Sequence, residues 1–123
     1  MFAVALGTTA PCSAMDSRTY ASLRRLDPDL RIEQVCDLAA MERIHKERQE
    51  LRPDRAKSDV ISHPLHMGDT LRADGGAFRS NGSWYKLSFV CKTSPDHLKV
   101  TSFNYEIGKL IPESRWGDYG LWR

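Results

Sequence analysis

The chain has 123 residues, of which 28% are charged and 41% hydrophobic, and its formal net charge is +2. This length suffices for one domain with one core and is too short for two. The mild positive charge argues against a nucleic-acid partner, because nucleic-acid-binding domains usually carry a strongly basic face.

Residues 1–14 are typical of an export signal. They carry no charged side chain and end in the small residues Cys12-Ser13-Ala14, which suit signal peptidase. The segment is short and lacks the usual basic start, which leaves two alternatives: translation starts further upstream, or the segment is a disordered N-terminus that is never exported. We expect residues 1–14 to be a truncated signal peptide, residues 15–123 to form a single domain, and the mature protein to be periplasmic or secreted. No later apolar run approaches the roughly 20 residues of a membrane-spanning helix, so we predict no transmembrane segment in the mature chain.

A helical region is predicted to start at Asp27-Pro28, because Asp can cap the first amides and Pro is tolerated at the first helical position. Apolar residues then recur at helical spacing, as on one face of a helix: Ile32, Val35, Cys36 and Ala39. A second apolar phase follows Asp37, which could itself cap a new helix, so one helix and two short helices both remain open. Pro53 should end the region by about Leu51.

Residues 52–69 lack a lasting period and contain two prolines, so we expect a long connection there. Long connections without structure are uncommon in compact domains unless they are functional or held in place. This segment is therefore a place to look for function.

The period becomes two from Thr70 onward, which predicts strands. Asn81-Gly82 predicts a tight hairpin turn, because both residues tolerate a positive φ. The predicted strands are residues 77–80, 84–93 and 99–107. The second of them places its apolar residues on one face: Tyr85, Leu87, Phe89 and Cys91.

These elements predict an α+β domain, in which an N-terminal helix or two short helices pack on one face of a three-stranded, or slightly larger, antiparallel meander. The helix stripe that carries Cys36 is the natural cover for the strand face that carries Cys91. In an oxidising compartment we expect one disulfide between these two cysteines, whereas in the cytosol both would stay reduced.

Several ordered blocks of the sequence also resemble one family. They include Leu26-Asp27-Pro28-Asp29, Gln34-Val35-Cys36-Asp37-Leu38, Gly76-Ala77-Phe78-Arg79-Ser80, Leu87-Ser88-Phe89-Val90-Cys91 and Pro95-Asp96-His97. In these blocks the chain resembles the alphaproteobacterial domain-of-unknown-function family 930 (DUF930). The resemblance implies an exported, periplasmic protein of a family with no assigned activity, and it supplies no catalytic residues.

His63 and His66, with Asp59 and Asp69 nearby, are the first candidates for chemistry, because two imidazoles and a carboxylate can hold a metal ion. On a helix such histidines stand four positions apart, and Pro64 argues against a helix here. We therefore interpret both histidines as ordinary exposed side chains, and we predict no metal, no cofactor and no catalytic residues.

Aromatic and basic residues are predicted on the outer face of the sheet and in the C-terminal segment: Arg79, Trp84, Lys86, Lys92, Trp116 and Trp122. Rings beside cations suit sugar rings, anionic glycans or a protein partner. The alternative is that the C-terminal aromatics pack as a lid over the sheet and bury Trp84 without any ligand. We favour this alternative for Trp116 and Trp122.

The sequence thus favours a non-catalytic binding or interaction module of the cell envelope that contacts an envelope protein or polysaccharide. One alternative is a small hydrolase that uses Asp59, His63 or His66 in a cleft beside the sheet. Clustering of these side chains in a concave pocket would favour the hydrolase. Another alternative is a structural subunit of an envelope complex.

Overall fold

The computed structural model describes residues 17–123, so the predicted signal peptide at residues 1–14 lies outside the described residues. Two helices come first, α1 (Ser17–Arg24) and α2 (Pro28–Glu47). Five strands follow: β1 (Pro53–Lys57), β2 (Leu65–Met67), β3 (Thr70–Ser80), β4 (Ser83–Thr93) and β5 (Val100–Leu110). A 3-10 helix (Glu113–Tyr119) comes after the last strand.

α2 is a single helix, which decides between the two alternatives that the sequence left open. It begins at Pro28, as predicted, and continues through Asp37 without a break. Its fully buried residues pack on the sheet: Ile32, Cys36, Ala40 and Ile44. The sequence did not predict α1, because this short helix buries only Leu23 and therefore shows no apolar stripe.

The sheet is antiparallel with the order β1-β3-β4-β5, and β2 pairs with the first part of β3. The prediction of an unstructured connection at residues 52–69 is wrong, because this segment contains β1 and β2. Neither strand alternates between buried and exposed positions, since β2 is exposed throughout and β1 holds no fully buried residue. The predicted hairpin turn is confirmed, with positive φ at both Asn81 and Gly82.

The main core lies between α2 and the inner face of the sheet, where Phe78, Phe89 and Phe103 meet the helix stripe. Cys36 and Cys91 are both 0% exposed and form the predicted disulfide, with their Cα atoms 6.1 Å apart. The bond joins the middle of α2 to β4, so helix and sheet are linked covalently at the centre of the core. The predicted α+β architecture is confirmed.

A second cluster covers part of the outer face of the sheet: Ala77, Trp84, Ile111, Trp116 and Leu121. The indole of Trp84 on β4 fixes this cover to the sheet, and the indole of Trp116 forms a hydrogen bond within the cover. Trp84 Nε1 donates a hydrogen bond to the carbonyl oxygen of Trp122 at 2.7 Å, and Trp116 Nε1 donates to that of Ile111 at 3.0 Å. The C-terminal segment therefore forms a lid over one end of the sheet. Across residues 17–123, no helix is both long and apolar enough to span a membrane.

Candidate functional site

A groove of about 450 Å³ runs between α2 and the edge of the sheet formed by β1. The helix contributes Glu33, Gln34, Asp37, Leu38 and Met41. The strand and the residues after it contribute Arg55, Ala56, Lys57, Ser58 and Asp59, and Trp122 completes the lining. Most of these side chains are polar or charged, so the groove suits a polar ligand better than an apolar one.

Local geometry explains why these residues meet. Positions 33, 34, 37, 38 and 41 share one side of α2, beside the stripe that packs on the sheet. The end of β1 approaches β3 closely because Gly76 has no side chain there. A Cβ at this position would lie 2.7 Å from the carbonyl oxygen of Lys57, so only glycine permits this approach without a backbone shift.

Asp37 is the most unusual side chain of the groove. It is only 8% exposed, and its Oδ1 has no hydrogen-bond partner among the residues that the structure describes. Burial raises the pKa of its carboxyl group well above the usual value, and the negative charge of Glu33 raises it further. Hydrogen bonding from Ser58 and the positive charge of Lys57 act in the opposite direction but do not restore the usual pKa.

The other two acids of the groove are each paired with a histidine. Glu33 Oε2 lies 2.7 Å from His66 Nε2, and Asp59 Oδ2 lies 2.9 Å from His63 Nδ1. The hydrogen bond to Asp59 raises the pKa of His63, whose side chain is 90% exposed. The two predicted metal candidates thus bind different carboxylates. Within residues 17–123, no group of three or more histidine, cysteine or acidic side chains could hold a metal ion.

Trp122 forms one rim of the groove and is 43% exposed. Two cations lie over its ring, with Lys57 Nζ at 5.4 Å and Arg79 Cζ at 5.8 Å from the ring centroid. Arg79 also forms a bidentate ion pair with Asp54, with both N–O distances at 2.9 Å. These contacts hold the ring of Trp122 at the groove, while the backbone carbonyl of Trp122 accepts the hydrogen bond from Trp84.

The aromatic and basic surface predicted from the sequence is divided by the fold. Trp84 is 0% and Trp116 9% exposed, so both belong to the lid cluster and not to an exposed surface. Lys86 and Lys92 are exposed on the outer face of the sheet. They lie six positions apart along β4, which is about 20 Å for an extended strand. Of the predicted surface residues, only Trp122 lines the groove.

Of the three loop residues proposed for a hydrolase, Asp59 lines the groove, whereas His63 and His66 do not. Asp37 and Glu33 were not predicted as site residues from the sequence. A signal was present, because Asp37 directly follows a cysteine of the buried stripe, and an acid at that position faces the edge of the core. The unpaired Oδ1 of Asp37 could not be predicted from the sequence, because its surroundings include residues from β1.

Comparison with known proteins matches this chain to a family model. The model of a family described as Domain of Unknown Function (DUF930) matches residues 23–121. The matched stretch includes α2, all five strands and every residue of the groove lining except Trp122. No curated protein and no solved structure matches the chain.

Proposed function

We propose a binding function for this chain, which belongs to the DUF930 family. The protein acts as a non-catalytic module of the cell envelope and takes part of an envelope protein or polysaccharide into the groove between α2 and β1. The observation that carries this proposal is Asp37, a buried carboxyl group that lines the groove with one oxygen unpaired.

The energetics support a ligand at this place. A buried polar group without a partner costs about 1–3 kcal/mol, and more when it is charged. A ligand that donates a hydrogen bond to Asp37 Oδ1 would remove this cost, so the groove gains stability when it is occupied. Trp122 at the rim adds an amphipathic ring that suits contact with a sugar or a side chain.

The disulfide supports the cell envelope as the location. Bonds such as Cys36–Cys91 persist in oxidising compartments and are rare in the cytosol. We propose that the protein is periplasmic or secreted, that residues 1–14 act as a truncated export signal, and that the source is an alphaproteobacterium, as the family resemblance implies.

A small hydrolase is a second candidate, favoured by one contact. Asp59 lines the groove and holds His63 Nδ1 at 2.9 Å, the arrangement in which a carboxylate orients a general base. The 90% exposure of the His63 side chain places it in solvent and not over the groove. Release of product from peptidoglycan fragments by the wild-type protein, lost in His63→Ala, would favour this candidate over binding alone.

Tryptophan fluorescence tests the binding proposal. Of the three tryptophans, only Trp122 is substantially exposed, so a ligand in the groove should change its emission. We expect a saturable change on titration with peptidoglycan fragments, and we expect Trp122→Phe to lose it.

A pair of leucines on the same helix provides a matched control. Leu38 lines the groove and is 36% exposed, whereas Leu30 is 49% exposed and lies outside the groove. Leu38→Arg should block binding, because it places a long charged side chain in the groove. Leu30→Arg should not, because it adds the same charge to an exposed position of α2 outside the groove. Equal binding by the two variants, or no saturable signal from the wild-type protein, would refute the proposed groove function.

A further inference from the structure

The chemistry of the groove narrows the ligand class. We infer that the groove recognises a primary ammonium group on an aliphatic chain, with the carboxylate of Asp37 as its hydrogen-bond and ion-pair partner. This inference rests on the proposed binding function and specifies the chemical group of the ligand that binds to Asp37.

The unpaired oxygen of Asp37 points to a ligand with a hydrogen-bond donor. Asp37 lines the groove, and its buried Oδ1 receives no hydrogen bond from residues 17–123. When Asp37 is ionised its oxygens only accept hydrogen bonds, so in that state the missing partner is a donor. A cationic donor satisfies both the hydrogen bond and the buried charge, and charge-assisted hydrogen bonds are about twice as strong as neutral ones.

The charges around this oxygen favour a cationic ligand. Glu33 and Asp59 line the same groove and add negative charge. The lining also holds two cations: Lys57 attracts Asp37 while its Nζ lies over the ring of Trp122, and Arg55 Nη1 donates to the carbonyl oxygen of Asp54. The three carboxyl groups outnumber these two cations. Neither forms an ion pair with a carboxylate of the described chain. An anionic ligand would therefore meet repulsion at Asp37, whereas an ammonium group would be attracted.

The apolar part of the lining suits an aliphatic chain. Leu38, Met41 and Ala56 contribute hydrocarbon surface to the same groove. Methylene groups of an alkylamine can pack on such a surface while the charged end reaches Asp37. The shared chemistry is that of a free diamine and of a lysine side chain, and the two sources can be told apart by the probes below.

Binding of a cation must be linked to the protonation of Asp37. The charged and polar groups that face its carboxyl group are Glu33, Lys57 and Ser58, with Arg55 and Asp59 elsewhere in the lining. The ammonium group favours the ionised carboxylate, so the ligand should lower the pKa of Asp37. The affinity should consequently fall as the pH drops through that pKa.

Calorimetric titration tests the inference with two amines and one neutral analogue. The probes are 1,5-diaminopentane for a free diamine, Nα-acetyl-lysine amide for a lysine side chain, and 1,5-pentanediol as the uncharged control. We expect at least one amine to bind and the diol not to bind. Tighter binding of the lysine derivative would indicate a protein partner, and tighter binding of the diamine would indicate a small molecule.

Two variants of α2 each remove one negative charge. They separate direct recognition of the amine by Asp37 from the effect of the net charge of the protein. Asp37→Asn should weaken amine binding at least tenfold, whereas Glu42→Gln should change it less than twofold, because Glu42 is exposed and lies outside the groove. Thermal melting establishes that both variants fold. In the wild-type protein, the carboxyl carbon of Asp37, followed by NMR over a pH series, should titrate at lower pH when the amine is present.

The outcomes distinguish this inference from the function on which it rests. Equal amine binding by Asp37→Asn, or an unchanged pKa of Asp37 at saturation, would overturn the inference. If polysaccharide still binds in a Leu38-dependent way while no amine does, the groove function stands and the ammonium inference fails. If amines bind through Asp37 and no envelope polymer binds, the inference stands and the polymer ligand is wrong.

Discussion

At the residue scale, the ionisation of Asp37 determines how the stability of the site depends on pH. A carboxyl group with a folded-state pKa above its unfolded value binds a proton more tightly in the native protein than in the unfolded chain. The contribution of Asp37 to stability is therefore fully present below the unfolded pKa of about 4 and is lost as the pH rises through the folded pKa. At higher pH the empty groove holds a buried charge with an unpaired oxygen.

Replacement of Asp37 by asparagine should remove this pH-dependent cost. We expect Asp37→Asn to be more stable than the wild-type protein at neutral and alkaline pH, by on the order of 1 kcal/mol, because an amide cannot ionise. The difference should shrink toward acidic pH. Urea unfolding across a pH series measures it, with Glu42→Gln as the control for loss of one negative charge. A variant that is less stable than the wild-type protein at every pH would show that the ionised carboxylate is favourably paired.

At the element scale, the disulfide fastens α2 to β4 through the buried pair Cys36 and Cys91. The sulfur atoms close a loop with a sequence separation of 55 residues, for which chain entropy alone gives about 4 kcal/mol. Native strain and residual structure in the unfolded state reduce this figure, so about 2–4 kcal/mol is the realistic range.

Removal of the bond should therefore lower the urea midpoint strongly without changing the fold. We expect the double variant Cys36→Ala/Cys91→Ala to lose about 2–4 kcal/mol, and the reduced wild-type protein to behave alike. Mass spectrometry of the protein isolated without reductant checks the premise, because alkylation should reach no thiol of this pair before reduction. Two freely alkylated thiols and an unchanged urea midpoint would contradict both the bond and the oxidising location.

A single glycine controls the distance between β1 and β3. A Cβ at Gly76 would lie 2.7 Å from the carbonyl oxygen of Lys57 and 3.2 Å from that of Leu87, both backbone atoms that cannot turn aside. Gly76→Ala should therefore displace the end of β1, cost about 1–3 kcal/mol and weaken binding in the groove. Gly117→Ala is the control, because a Cβ there meets nothing within 4 Å. Wild-type stability and binding in Gly76→Ala would show that β1 is free to shift.

The elements that the sequence predicts best are those that bury one face in a regular pattern. The apolar residues of α2 recur with a helical period and those of β4 with the period of a strand, so the place of both elements in the core could be predicted. β1 and β2 could not, because their residues pair with β3 through the backbone and leave no apolar pattern. The groove is harder still, since Asp37, Lys57 and Trp122 are far apart in the chain and meet only through tertiary packing.

At the scale of the whole molecule, the C-terminal segment serves both the stability of the sheet and the site. Trp116 is buried in the cluster that covers Trp84, and its Nε1 is bonded to the carbonyl oxygen of Ile111. Six residues later, Trp122 accepts the hydrogen bond of Trp84 through its backbone while its ring reaches the groove. The lid thus holds one rim of the site in position.

Two tryptophan substitutions should separate these roles. Trp116→Ala removes the anchor of the lid and should cost about 3–5 kcal/mol, because a large buried side chain is lost. It should also shift the emission of Trp84 toward longer wavelength as water reaches that ring. Trp122→Ala keeps the backbone carbonyl, so its stability should change by less than about 1 kcal/mol while calorimetry shows weaker ligand binding. If Trp116→Ala also weakens binding under conditions in which the variant remains folded, the lid positions the Trp122 rim of the groove. Full binding by folded Trp116→Ala would instead mean that Lys57 and Arg79 hold the Trp122 ring without help from the lid.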